Sequence, residues 1–127
     1  MNSLSAREKE IAMPSGLREI NLEEGKPTAS AAVRRLTFEI HHSRRLGATA
    51  LKIIHGYGST GAGGRIRVEV RNFLLRLKGR REIADYIIGE QFSIFDEQTR
   101  AAFLRCGDLR KEHDLERHNN GVTYIIL

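Results

Sequence analysis

The chain has 127 residues, 40% hydrophobic and 29% charged, with a formal net charge of +5. That balance predicts one soluble globular domain with its own core and excludes a disordered chain. The single cysteine, Cys106, excludes an internal disulfide and a cysteine-built metal cluster, and it suits a reducing, cytoplasmic setting. No apolar run reaches membrane-spanning length, and the first residues lack a signal-peptide core, so no membrane association is expected. The basic excess favours an acidic partner, with nucleic acid the foremost candidate.

Residues 1–16 are polar and mixed in charge and read as an N-terminal arm. A single domain is expected over 17–127. Leu17 to Leu22 alternates apolar and polar residues as a short strand centred on Ile20 and Leu22. Glu23-Glu24-Gly25-Lys26-Pro27 turns the chain, and Thr28 stands as a helix N-cap. Ala29, Val33, Leu36 and Ile40 then form one apolar stripe, with Gly47 as the stop. Leu51 to His55 is an apolar, β-branched strand. A glycine-rich loop over 56–64 leads into a helix expected from about Arg65 to Lys78, with Ile66, Val70, Phe73, Leu74 and Leu77 at helical spacing and Gly79 as its end. A third strand at Ile83 to Ile88 completes a βαβαβ unit, whose first two strands should be parallel. An inserted segment follows at about 89–117, holding a helix capped by Asp96 and running through Cys106. His118-Asn119-Asn120-Gly121 is turn chemistry, and Val122 to Leu127 is a closing strand. The fold class is therefore α/β, a βαβαβ core with a closing C-terminal strand.

The strand, glycine loop and helix over 51–77 form the organising stretch. Such a junction points free backbone amides and the positive end of a helix dipole at one place, where phosphate binds. Gly56, Gly58, Gly61 and Gly64 are the candidate loop residues, and Arg65, Arg67 and Arg71 the candidate cations. Cations at a helix start do not help the helix itself, so two of them there point to an anionic ligand. The alternative is an ordinary solvated basic face. Seven cations stand against one glutamate between Arg65 and Arg81.

Gly56-Tyr57-Gly58-Ser59-Thr60-Gly61 also matches G-x-G-x-x-G, the dinucleotide fingerprint. Two features argue against that reading. Gly63 and Gly64 intervene before the expected helix, and the only acid at the right separation, Asp85, lies inside a strand. A nucleotide-triphosphate loop fails because Gly64-Arg65 stands where Lys-Ser/Thr is needed. Neither His41/His42 nor His113/His118 has zinc spacing, so no metal site and no cofactor are predicted. His55 differs in sitting at a strand end beside the loop, where α/β proteins place ligand-contacting groups. A ring that only hydrogen-bonds the loop backbone is the competing reading.

The order strand, helix, His55-Gly56-Tyr57-Gly58, glycine loop, Ile66-Arg67, helix, strand, then Asn120-Gly121-Val122-Thr123 and a closing strand resembles the small MutS-related (Smr) domain family. The match spans roughly 17–88 and 119–127. The resemblance implies a compact two-layer α/β sandwich on a four-stranded mixed sheet, similar to the C-terminal domain of bacterial translation initiation factor three. It also implies nucleic-acid binding, of RNA or DNA, and in many members endonucleolytic cutting. The family's L-D-x-H signature falls on Ile20-Asn21-Leu22-Glu23, so Asn21 stands for the aspartate and Glu23 for the histidine. His55 and Glu23 are thereby the candidate catalytic residues of an endonuclease, with a divalent metal to be added in that case. The binding-module reading places phosphates on the His-Gly-x-Gly loop and basic helix, in a cytoplasmic and ribosome-associated setting. A third reading gives the 89–117 segment a protein partner.

Overall fold

A computed structural model describes residues 16–57 and 62–127. The elements run β1 Leu17–Asn21, α1 Ala29–Arg45, β2 Ala50–Ile54, α2 Ala62–Gly79, β3 Asp85–Ile88, α3 Glu97–Arg105 and β4 Val122–Ile126, with short 3-10 turns at Gly89–Gln91 and Gly107–Lys111. The fold is α/β, with a four-stranded mixed sheet in the order β1-β2-β4-β3. β1 and β2 are parallel, from Leu17 opposite Ala50 to Asn21 opposite Ile54. β4 is antiparallel to both β2 and β3 and lies between them. The first three strands therefore point the same way, and their C-terminal ends share one end of the sheet.

Local signals account for the elements. Thr28 is extended and its hydroxyl accepts from the Ala31 amide at 3.1 Å, which starts α1. Asp96 accepts from the Thr99 amide at 2.9 Å and starts α3. Strand alternation sends Leu51 and Ile53 to one face of β2 and Ala50 and Lys52 to the other. Leu36 and Ile40 of α1 and Val70 and Leu74 of α2 pack on the first face with Ile20 and Ile125. The inserted segment covers the second face, where Phe92, Phe103 and Leu109 pack against Ile87, Val122 and Ile126. Phe92 stacks on Tyr124 with ring centroids 4.0 Å apart.

Two boundaries differ from the sequence expectation by more than one residue. α2 opens at Ala62, not at about Arg65, so Gly63 and Gly64 lie in its first turn. Glycine costs a helix only about 1 kcal/mol per residue, and packing through Ile66 and Val70 outweighs that. β3 begins at Asp85 rather than Ile83, although Ile83 is still buried under the helices. Of the expected arm at 1–16, residues 1–15 lie outside the described residues.

The second face also holds a buried ion cluster. Lys52, mid-strand in β2, has its side chain 8% exposed and its Nζ 2.6 Å from both Glu112 Oε1 and Asp114 Oδ2. Burial alone would lower the lysine pKa, but the two carboxylates outweigh it and raise it above 10.5. Burial alone would raise Asp114, but Lys52 and Asn119 hold it below its ordinary 3.8. The Asp114 contribution to stability is thus present above pH 3.8 and lost as acid carries the pH down through the folded value. The Lys52 contribution is present below pH 10.5 and lost as alkali carries the pH above it. Lys52→Met leaves two buried carboxylates without a counter-ion and is expected to cost about 3–5 kcal/mol in urea unfolding at neutral pH. An unchanged urea midpoint would show that the cluster is not holding the segment.

Candidate functional site

The shared end of the sheet gathers the residue after β2, the residue after β3, the start of β4 and the first turns of α1 and α2. The His55 and Gly56 amides both donate to the Gly121 carbonyl at 3.0 Å, tying the end of β2 to the turn before β4. The His55 side chain is fully buried. Its Nδ1 lies 2.8 Å from the Gly56 carbonyl and its Nε2 2.8 Å from Thr123 Oγ1. A carbonyl only accepts, so Nδ1 carries the proton and Nε2 accepts from the Thr123 hydroxyl. That hydroxyl in turn accepts from Arg71 Nε at 3.0 Å. Burial, reinforced by the Arg71 and Arg67 charges and opposed by the Gly56 bond and Glu90, lowers the His55 pKa to about 4. His55 is therefore neutral at pH 7, and both ring nitrogens are engaged. This arrangement makes it a positioning residue of the loop, not a proton carrier open to substrate.

Arg71, expected on the phosphate surface, is turned inward. Its two terminal nitrogens meet the Glu90 carboxylate at 2.9 and 2.7 Å, and one also donates to the Val122 carbonyl at 3.2 Å. Burial would raise the Glu90 pKa, but Arg71 outweighs it and holds the carboxylate ionised. With its side chain 17% exposed, Arg71 is a clamp on β4 and not a free cation. The physical reason is position: Arg71 lies four residues after Arg67 and three before Leu74, at the edge of the buried stripe. That spacing marks an edge position but does not say which way the side chain turns. Thr123 and Glu90, which complete the cluster, carried no comparable signal.

The other candidates are more open. Glu23 is exposed, and its carboxylate rests against Gly56, where a β-carbon would collide with it. Gly56 also has φ +73°, so a side chain there meets both strain and a clash. Asn21 Oδ1 accepts from the Glu23 amide at 2.9 Å, closing the turn after β1. Gly64 is half-buried in the first turn of α2, Arg65 is exposed and Arg67 half-buried. Neither arginine side chain makes a hydrogen bond or ion pair to a described residue. Gly58 and Gly61 lie outside the described residues.

A cleft of about 620 Å³ opens between the starts of α1 and α2, lined by Pro27, Thr28, Ala29, Ser30, Arg65 and Glu69. Compared with protein-family models, curated proteins and solved structures, the chain finds no match in any of the three. Chemistry at the site must therefore be read from its own residues. Among the described residues no group of three or more His, Cys, Asp or Glu is placed to hold a metal ion. None of their helices is long and apolar enough to cross a membrane. The opening of α2 directly after Gly61 removes one objection to a dinucleotide site. The other stands on firmer ground: Asp85 is the first residue of β3, at the far end of the sheet from His55, and it is bound to Lys78 and Gln98.

The folded His55 stays neutral between pH 6.5 and about 4, whereas the unfolded ring takes up a proton. Its contribution is thus present above pH 6.5 and is lost as the pH falls towards 4, a loss of about 3 kcal/mol. NMR titration should find the His55 ring neutral at pH 5.5 and in the Nδ1–H form. A His55 midpoint near 6.5 would mean that the buried hydrogen-bonded geometry is wrong.

Proposed function

We propose that the chain is a nucleic-acid-binding domain of the Smr type, holding RNA or DNA phosphates at the start of α2. The observation that carries this reading is the cleft between the two helix starts. It lies beside the first turns of α1 and the Arg65 end of α2, where the positive ends of the helix dipoles fall, and neither helix has an acid in its first turn. Arg65 adds a formal charge there, and Arg67 stands close enough to lower the His55 pKa. Glu69 on the same wall tempers the potential. The single cysteine, buried Cys106, and the basic charge suit a cytoplasmic protein working on RNA, including a ribosomal setting. The 89–117 segment is the face left for a protein partner, with Phe95 and Leu104 exposed on it.

An endonuclease is the second reading, favoured by the exposed Glu23 carboxylate against Gly56. Glu23 and a divalent metal would have to carry it, because His55 has no free lone pair. Incubation with labelled RNA and DNA, with and without Mg²⁺ or Mn²⁺, separates the two. Binding without cutting is expected. Rapid Mg²⁺-dependent cutting, abolished by Glu23→Ala, would replace the binding module with the nuclease.

Salt dependence tests the phosphate contacts themselves. Arg71, Lys78 and Arg80 are already ion-paired, to Glu90, Asp85 and Glu82, whereas Arg65, Arg67, Arg76 and Arg81 make no ion pair to a described residue. Four phosphate contacts give a log–log salt slope of about −3 to −4. The double variant Arg65→Ala, Arg67→Ala should make the slope shallower by about 1.5, with equal loss across base sequences. Binding indifferent to salt would overturn the reading.

A further inference from the structure

We infer that Tyr57 is a stacking platform for an unpaired base, which gives the site a preference for single-stranded nucleic acid. The inference rests on the phosphate-binding reading above and adds a substrate class to it. Tyr57 follows His55 and Gly56, whose amides the Gly121 carbonyl holds. The residue is 57% exposed, and its hydroxyl makes no hydrogen bond to a described residue. A large aromatic ring open to water at a strand end has no role in the core, since the apolar cluster on each face of the sheet is complete without it.

The ring is nonetheless held from beneath. A β-carbon on Gly121 would come 3.0 Å from Tyr57 Cδ1, so the ring edge lies along the Gly121 backbone. Gly121 is itself buried and fixed: its amide donates to Asn119 Oδ1 at 2.8 Å, and its carbonyl takes the His55 and Gly56 amides. The ring thus stands on an immobile backbone, which lowers the ordering cost of using it as a contact surface. Arg67 acts electrostatically on His55, two residues before Tyr57. Cation and aromatic therefore flank the same strand end, the pairing by which single strands are held: charge tracks the backbone and rings take the bases. A duplex keeps its bases stacked inside and offers the ring nothing. Other exposed aromatics lie elsewhere, Phe38 within α1 against His42 and Phe95 in the inserted segment.

The chain has three tyrosines and no tryptophan, and of the three, Tyr124 is fully buried and Tyr86 half-buried. With no tryptophan present the three tyrosines emit together, and the difference between the protein and its Tyr57→Phe variant is the Tyr57 share. Single-stranded oligo(dT) and oligo(U) should quench it, and a duplex of equal length should not. Tyr57→Ala should weaken binding to single strands by about 5- to 150-fold and to duplex by less than about twofold. Tyr57→Phe should keep the single-strand affinity and lose the quench. Equal losses on single strand and duplex, or no loss on either, would overturn the stacking role. If the wild-type protein binds salt-sensitively and Arg65→Ala, Arg67→Ala weakens it while Tyr57→Ala does not, stacking alone falls. If it binds neither form, the phosphate reading falls and takes this inference with it.

Discussion

The Thr123 hydroxyl is the point on which the site end of this fold depends. It has one proton to donate, and the geometry directs it to His55 Nε2, because Arg71 Nε must donate and cannot accept. The remaining Arg71 donors go to Glu90 and to carbonyls at the start of β4. One side chain of α2 thereby fixes the ends of β2 and β3 and the beginning of β4 together. The His55–Thr123 bond is buried and the Arg71 bonds are partly so, and an unpaired buried partner costs about 1–3 kcal/mol. That asymmetry makes the cluster specific: a shift of any one element leaves several groups unsatisfied at once.

The opposite face of the sheet reaches the same point by another route. Lys52 binds Asp114, Asp114 accepts from Asn119 Nδ2 at 3.2 Å, and Asn119 Oδ1 takes the Gly121 amide. The Gly121 carbonyl then holds His55 and Gly56. The inserted segment is thus coupled to the glycine loop by an unbroken hydrogen-bonded path. Gly89 shows how closely the parts approach, since a β-carbon there would collide with the Asn119 carbonyl. In sequence the segment looked like an addition to a smaller domain. In the fold it supplies half of the buried core on the second face of the sheet and one end of this path.

The fold was legible because its signals are local. Caps at Thr28 and Asp96, the apolar stripes of α1 and α2 and the alternation of β2 all depend on near neighbours in the chain. The site was legible only in outline. Its strand end, its glycine turn and the arginines of the first α2 turns could be read from order alone. The inward turn of Arg71 could not, because it depends on Glu90 and Thr123, which lie 19 and 52 residues away in the chain. The burial of His55 escaped for the same reason: position at a strand end does not say whether the ring faces solvent or Thr123. The start of α2 was misplaced because glycine propensity was weighed without the packing that overrides it.

These contacts bear on the choice between binding and cutting. A general base must turn a free lone pair towards the group it deprotonates. The His55 lone pair is taken by Thr123, and the second nitrogen is held by Gly56, so the ring can pass no proton without unmaking the loop it supports. Asn21 tells a similar story on β1. Its side-chain oxygen accepts from the Glu23 amide, a bond that an aspartate would make equally well. The turn can therefore keep its shape with either residue, while only the aspartate brings a charge. Among the described residues, this end exposes Arg65, the carboxylates of Glu23 and Glu69 and the Tyr57 ring, with Arg67 half-buried beside them. On the proposed reading the cations and the ring meet phosphates and bases, and no acid there is in contact with a partnering base. Recognition needs only the surface that this fold holds rigid, whereas hydrolysis would need a second group beside Glu23.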